Sequence, residues 1–192
     1  LSKENNDKEI ILWTVSGPLK SKILDGNLVE TKIGTPKTNW KEIPLNKDLD
    51  TKNLNIKIIS KSNIEHIGGT SINVGNPHVI FFVDNIEDYD LKKIGPEIEN
   101  HKYFPEKCNV TLAKVMGKDL IKVKVWERGA GLTKACGTAA CATAVAANIN
   151  GLTDKKTDIE FELGKLSISI DKNNSIHMKG PVSDIKNIEI KI

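Results

Sequence analysis

The chain has 192 residues, 39% of them hydrophobic and 28% charged, a balance ordinary for folded domains and far from disordered or fibrous compositions. Lys and Arg total 28 against 25 Asp and Glu, a net charge of +3 that is too small and too dispersed for a nucleic-acid binder, so no such partner is expected. The longest apolar runs are Val79–Val83 and the small-residue stretch Ala139–Ala147, well short of the ~20 residues that span a bilayer, and Leu1–Glu9 carries no leader pattern; the expectation is a cytoplasmic protein with no membrane partner.

Period-2 alternation opens the chain. Residues 8–16 and 27–33 read as strands of a meander, punctuated by Gly17-Pro18 and by the hairpin signal Asp25-Gly26. Gly34–Asp50 is rich in Pro, Lys, Asn and Asp and reads as a connector, the best place for a domain crossing. Further strands are expected at Asn55–Ile59, Ile72–Val74, Val79–Val83, Val110–Met116, Ile121–Glu127, Ile159–Leu163, Leu166–Ile170 and Ile176–Lys179. Two helices interrupt them. One covers Asp90–Ile94 and Pro96–His101, kinked or split at Gly95-Pro96, with Leu91, Ile94 and Ile98 on one face. The other, Thr138–Asn148, is almost wholly Ala, Thr, Val and Cys; small side chains on every face mark it as buried, and it closes at Asn150-Gly151. With only 5% aromatic residues, Ile, Leu and Val must fill the core.

Cys108, Cys136 and Cys141 form neither a disulfide framework nor a zinc spacing. Cys136 stands out by position, because it follows a Gly-rich loop and opens the small-residue helix. Free N–H groups and the dipole at a helix N-terminus favour thiolate over thiol, and the same groups bind carboxylates. A buried structural cysteine is the plain alternative. Arg128, in Glu127-Arg-Gly129, is the only arginine among the 28 basic residues. A bidentate anion contact needs the guanidinium fork, which lysine does not supply; a structural ion pair is the alternative. His78, fixed by Asn-Pro before it, is a candidate acid or base near neutral pH or an ordinary turn residue. Asn109 is by itself an unremarkable strand-entry residue.

Together, Gly75-Asn-Pro-His78, Gly95-Pro-Glu-Ile-Glu-Asn-His101, Phe104-Pro105, Asn109-Val110, Glu127-Arg-Gly129 and Ala135-Cys-Gly-Thr138 stand in the order and spacing of one family. The chain resembles diaminopimelate epimerase, and the segment Gly34–Pro44 and the dipeptide Gly180-Pro181 extend the resemblance over nearly its whole length. The resemblance implies an isomerase of the lysine and peptidoglycan precursor pathway that interconverts LL- and meso-diaminopimelate without pyridoxal phosphate or any other cofactor. Two cysteines would face opposite sides of the substrate α-carbon, and Cys136 is similar to the second of them. By the same implication Glu127 acts beside Cys136 and His78 assists the opposite cysteine, Asn76, Asn109, Glu127 and Arg128 contact substrate, and the Gly137 and Thr138 amides take the α-carboxylate. A homodimer is compatible with it.

Two departures stand out. Ala139 occupies a position that the family usually fills with glycine, and a methyl there could crowd the carboxylate site. No counterpart of the family's first cysteine motif occurs in residues 1–192, and Cys108 lacks the glycines to stand in for it. The implied fold is α/β, a curved mixed or antiparallel sheet wrapped around a central helix: one complete half, 34–181, with remnants of the other at 1–33 and a closing strand at 182–192. This chain alone is expected to be inactive. The rival readings are a non-catalytic ligand-binding fragment and a related proline-racemase-like isomerase.

Overall fold

The computed structural model describes residues 8–14, 17–25 and 27–183. The last two positions of the first expected strand, Gly26 of the expected turn and nearly all of the expected closing strand 182–192 therefore lie outside the described residues.

The opening meander is β1 (Glu9–Thr14), β2 (Gly17–Leu24) and β3 (Leu28–Gly34), paired antiparallel in order. The segment 17–24, which opens with the Gly17-Pro18 break between the expected strands, is itself a strand: Gly17 takes a φ of 110° at its start, and beyond it Leu19, Ser21 and Ile23 alternate with lysines. The connector after Gly34 holds only an isolated bridge between Lys37 and Asn73. A small hairpin follows, β4 (Ile56–Ile59) with β5 (Glu65–Gly68), the latter absent from the sequence reading because it is only four residues long.

The main sheet then continues through β6 (Thr70–Asn73), β7 (Pro77–Phe82), β8 (Asn109–Gly117), β9 (Leu120–Glu127), β10 (Gly131–Thr133), β11 (Lys156–Phe161), β12 (Gly164–Ile170) and β13 (Ile176–Pro181). Its order is β1-β2-β3-β13-β12-β11-β9-β8-β7-β6, with β10 added to β9. The β7–β8 and β9–β11 pairs are parallel and the rest antiparallel, so the sheet is mixed. Through the β3–β13 ladder the meander is continuous with the strands that follow.

Helix α1 (Leu91–Glu99) lies against one face and α2 (Gly137–Ile149) against the other. The expected break in α1 does not occur. The helix runs through Pro96, whose missing N–H deprives only the carbonyl of exposed Lys92. Helix α2 touches β6, β7, β8, β11, β12 and β13, which is possible only if the sheet curls around it. Every residue from Ala139 to Ala147 is consequently buried, and small side chains are what let strands approach on all sides.

Strand alternation divides the interior in two. Ile80, Ala113, Ile121, Val123, Val125, Ile159 and Ile168 face α2. Val79, Phe81, Val110 and Leu112 face the other way, packing on Leu91, Ile94 and Ile98 of α1 and on Ile43 and Leu54 of the connector.

Candidate active site

The same alternation assembles the site. His78 shares the parity of Ile80, Asn109 that of Ala113, and Glu127 that of Val125, so all three side chains lie on the α2 side of three neighbouring strands. Parallel pairing sets His78 opposite Asn109, and Val110 pairs with Trp126, which brings residue 127 beside residue 109. The three therefore line up at one end of the sheet, where α2 begins with Cys136.

His78 is fully buried. Its Nε2 is 3.0 Å from the side-chain oxygen of Asn76, a contact that the tautomer protonated at Nε2 satisfies by donating. Its Nδ1 is buried and finds no partner. Burial, with the Arg128 charge adding to it, pushes the imidazole down to about 3. His78 is thus neutral near neutral pH, because desolvation of the cation outweighs its intrinsic basicity. Asn109, also buried, ties the strands together. Its Nδ2 donates to the Pro77 carbonyl at 3.1 Å and lies 3.4 Å from His78 Nε2, and its Oδ1 accepts the Arg128 backbone N–H at 2.9 Å.

Arg128 is exposed at the β9–β10 turn and donates one guanidinium N–H to the Glu106 carbonyl at 2.7 Å, leaving the remaining donors of its fork available. Gly129 and Gly131 hold φ values of 75° and 86°, the left-handed conformation that lets this turn close on itself.

Cys136 is the N-cap residue of α2 and is buried, with its sulfur 3.4 Å from the Thr138 hydroxyl. The helix terminus alone predicted a depressed thiol pKa. Instead, burial pushes it up, the Thr138 hydroxyl and Ala139 amide pull it down by less, and the Glu127 carboxylate beside it raises it further. The resting form is a thiol. Gly137 and Thr138 open the first turn of α2, where backbone N–H groups lack helical acceptors. The methyl of Ala139 is fully buried among the apolar residues around α2, so it serves the core rather than crowding the end of the helix.

All eight residues singled out from sequence thus meet at one end of the sheet, as two connected groups: Asn76, His78, Asn109 and Arg128, and Glu127, Cys136, Gly137 and Thr138. The other two cysteines do not join them. Cys108 is fully buried with its thiol directed at the Ile98 carbonyl, and Cys141 lies inside α2. The sequence reading assigned nothing to Glu99, a buried carboxylate at the end of α1 that bonds the Trp126 indole and the Gly129 amide. Its sequence signals are its place directly after the apolar Leu91/Ile94/Ile98 stripe and within the motif Gly95-Pro-Glu-Ile-Glu-Asn-His101. Among the described residues no group of three or more His, Cys, Asp or Glu is placed to hold a metal ion, and no helix is long and apolar enough to cross a membrane. A cavity of about 630 Å³ lies elsewhere, between β4 and α1.

A mixed α/β sheet curled around a central helix is a fold that this chain shares with several solved structures. A Bacillus anthracis phenazine biosynthesis protein of the PhzF family has a TM-score of 0.62 at 14% identity, covering 100% of this chain and 72% of its own. A hydroxyproline epimerase from Agrobacterium vitis has a TM-score of 0.57 at 13% identity, covering 91% and 58%. These likenesses show the fold.

The family follows from sequence: the diaminopimelate epimerase family model matches residues 70–185, and the chain belongs to that family. It is 74% identical over all 192 residues to the diaminopimelate epimerase of Pelagibacter ubique, spanning 70% of that protein. It is 42% identical over 187 residues to that of a Caulobacter species, 95% of this chain and 64% of the relative. The chain spans about two thirds of the length of the relatives it matches.

Proposed function

We propose that the protein interconverts LL- and meso-diaminopimelate by moving the α-proton between two thiols, with no cofactor, in the formation of lysine and peptidoglycan precursors. The observation that carries this reading is Cys136 at the mouth of α2 with Glu127 beside its thiol. An α-carbanion is accessible only if the charge developing on the carboxylate is held by fixed donors in a dry site. The amides of Gly137 and Thr138 and the free part of the Arg128 fork supply such donors, while Asn76 and Asn109 orient the amino acid between them.

Because burial and Glu127 favour the thiol, Cys136 is suited to deliver a proton to one face of the α-carbon while a thiolate on the other face removes one. Its own thiolate, formed as the proton leaves, is then stabilised by Thr138 and the Ala139 amide, and the reverse reaction starts from that form. In this reading neutral His78 assists the opposite thiol, the unpartnered Nδ1 being the group that accepts its hydrogen bond.

In this reading neither Cys108 nor Cys141, both fully buried, is the opposing thiol. In this reading residues 1–33 and 182–192 belong to the half-domain that supplies it. The exposure of Ile11, Leu12 and Trp13 on β1 supports that assignment.

The test is α-proton exchange of diaminopimelate in deuterium oxide together with LL-to-meso conversion. In the protein extended to the full length of its relatives, Cys136→Ser is expected to lower both by at least about 100-fold, and the 192-residue chain alone to show no conversion. Binding of diaminopimelate without exchange in the extended protein would favour a ligand-binding role. Conversion by the isolated chain would refute the two-thiol assignment.

A further inference from the structure

Glu99 is the last residue of α1 and only 6% exposed. Its two carboxylate oxygens are divided between two donors. One accepts the indole N–H of Trp126 at 2.7 Å, and the other accepts the backbone N–H of Gly129 at 3.2 Å. The Lys107 ammonium stands 3.9 Å away on a largely exposed side chain, so those two hydrogen bonds are what make the buried carboxylate tolerable.

The surroundings are shaped to this arrangement. One turn earlier on α1, a Cβ at Gly95 would come within 2.6 Å of the Trp126 ring, so a glycine there lets the indole lie against the helix. From the opposite side, Asn109 takes the N–H of Arg128 at 2.9 Å. Two successive amides of the turn are therefore held by side chains from different elements, β8 and α1. Glu127 and Arg128 sit at that turn, and neither can shift without breaking one of these bonds.

We propose that Glu99 is a positioning residue: by clamping the Gly129 amide and the Trp126 indole, it sets where the Glu127 carboxylate meets the Cys136 thiol and where the Arg128 fork opens. Its importance for turnover rests on the diaminopimelate reading above; the clamp itself does not. Glutamine offers a single acceptor oxygen and an amide that only donates, so Glu99→Gln leaves one of the two donors unpaired. Trp126→Phe removes one donor, and the single glutamine oxygen then suffices for Gly129.

The experiment compares wild type, Glu99→Gln, Trp126→Phe and the double variant by hydrogen–deuterium exchange of segment 127–131 and by the pH midpoint of Cys136 alkylation. Glu99→Gln is expected to speed Gly129 exchange by about tenfold or more, the factor that accompanies loss of one such bond. It is also expected to move the alkylation midpoint downward as Glu127 loosens from the thiol. Trp126→Phe, which keeps the Glu99–Gly129 bond, is expected to speed Gly129 exchange less than Glu99→Gln does, and the double variant to exchange more slowly than Glu99→Gln with its midpoint closer to that of wild type. Gly129 exchange within twofold of wild type in Glu99→Gln, acceleration spread evenly over α1 and β9, or a double variant no slower than Glu99→Gln would each overturn the proposal. Neither readout uses substrate, so absence of turnover with diaminopimelate would count against the proposed reaction and not against the clamp.

Discussion

Cys136 shows two physical effects opposed on one sulfur. A helix N-terminus stabilises a thiolate through its free amides and dipole, whereas removal from water stabilises the thiol. Here burial and the neighbouring Glu127 carboxylate prevail over Thr138 and the Ala139 amide. Iodoacetamide alkylation of the ligand-free protein should therefore show a midpoint for Cys136 above that of an unburied thiol. Glu127→Gln should shift it downward, because the anion that opposes ionisation is gone. Cys141, pushed up to about 12 by burial inside the same helix, should stay unlabelled until the protein unfolds. Peptide mass spectrometry of samples labelled across the pH range reads all three outcomes, and a Glu127→Gln midpoint equal to or above wild type would show that the carboxylate does not act on the sulfur.

At the level of elements, two close approaches differ in what stands opposite the glycine. A Cβ on Gly95 of α1 would lie 2.6 Å from two atoms of the Trp126 ring, a rigid group held by its bond to Glu99. A Cβ on Gly137 at the start of α2 would instead lie 3.1 Å from the Met178 sulfur and 3.4 Å from its terminal methyl, a chain end that can swing aside. Gly95→Ala is accordingly expected to destabilise the protein by about 1–3 kcal/mol, as overpacking against an immovable neighbour does. Gly137→Ala should cost less than about 1 kcal/mol in stability while still placing a methyl at the anion-facing turn. Urea unfolding of the two variants against wild type separates the cases, and equal losses would remove the distinction. Helix α1 is thus more than cover for the outer face of the sheet, since its last turn also holds the β9–β10 turn.

For the molecule as a whole, burying His78 links stability to acidity. Its folded pKa of about 3 lies below the ordinary histidine value of 6.5. Between those values the unfolded chain binds a proton that the folded one does not, so this group's contribution is fully present above about pH 6.5 and is lost as the pH falls towards 3. One proton corresponds to a slope of at most about 1.4 kcal/mol per pH unit. His78→Gln should flatten the dependence of unfolding free energy on pH in that window by up to one proton relative to wild type. Denaturant titrations at several pH values measure it, and an unchanged slope would mean that His78 is not the buried neutral base. A cation-free His78 is a product of global architecture: the strand that carries it is covered on one face by α2 and on the other by the connector and α1.

How much of this was legible in the chain depends on how far each feature reaches along it. Strand alternation, the Gly and Asn turns, the all-round burial of α2 from its Ala, Thr and Val content, and the placing of Cys136 at that helix's first turn each depend on residues within about one turn or one pleat of each other. These features, with the Glu127-Arg128 motif and the family resemblance, were determined by the sequence. The weak or short elements were not: β5 has only four residues, and β2 begins at a Gly-Pro pair that read as a turn. The ladder between β3 and β13, the parallel register that sets His78 beside Asn109 thirty-one positions away, the union of Glu99 with Gly129, and the signs of the shifts on His78 and Cys136 were decided only by the tertiary structure. Strand register and desolvation are set by whatever element arrives from elsewhere in the chain to exclude water, and no local pattern around His78, Glu99 or Cys136 carries that information.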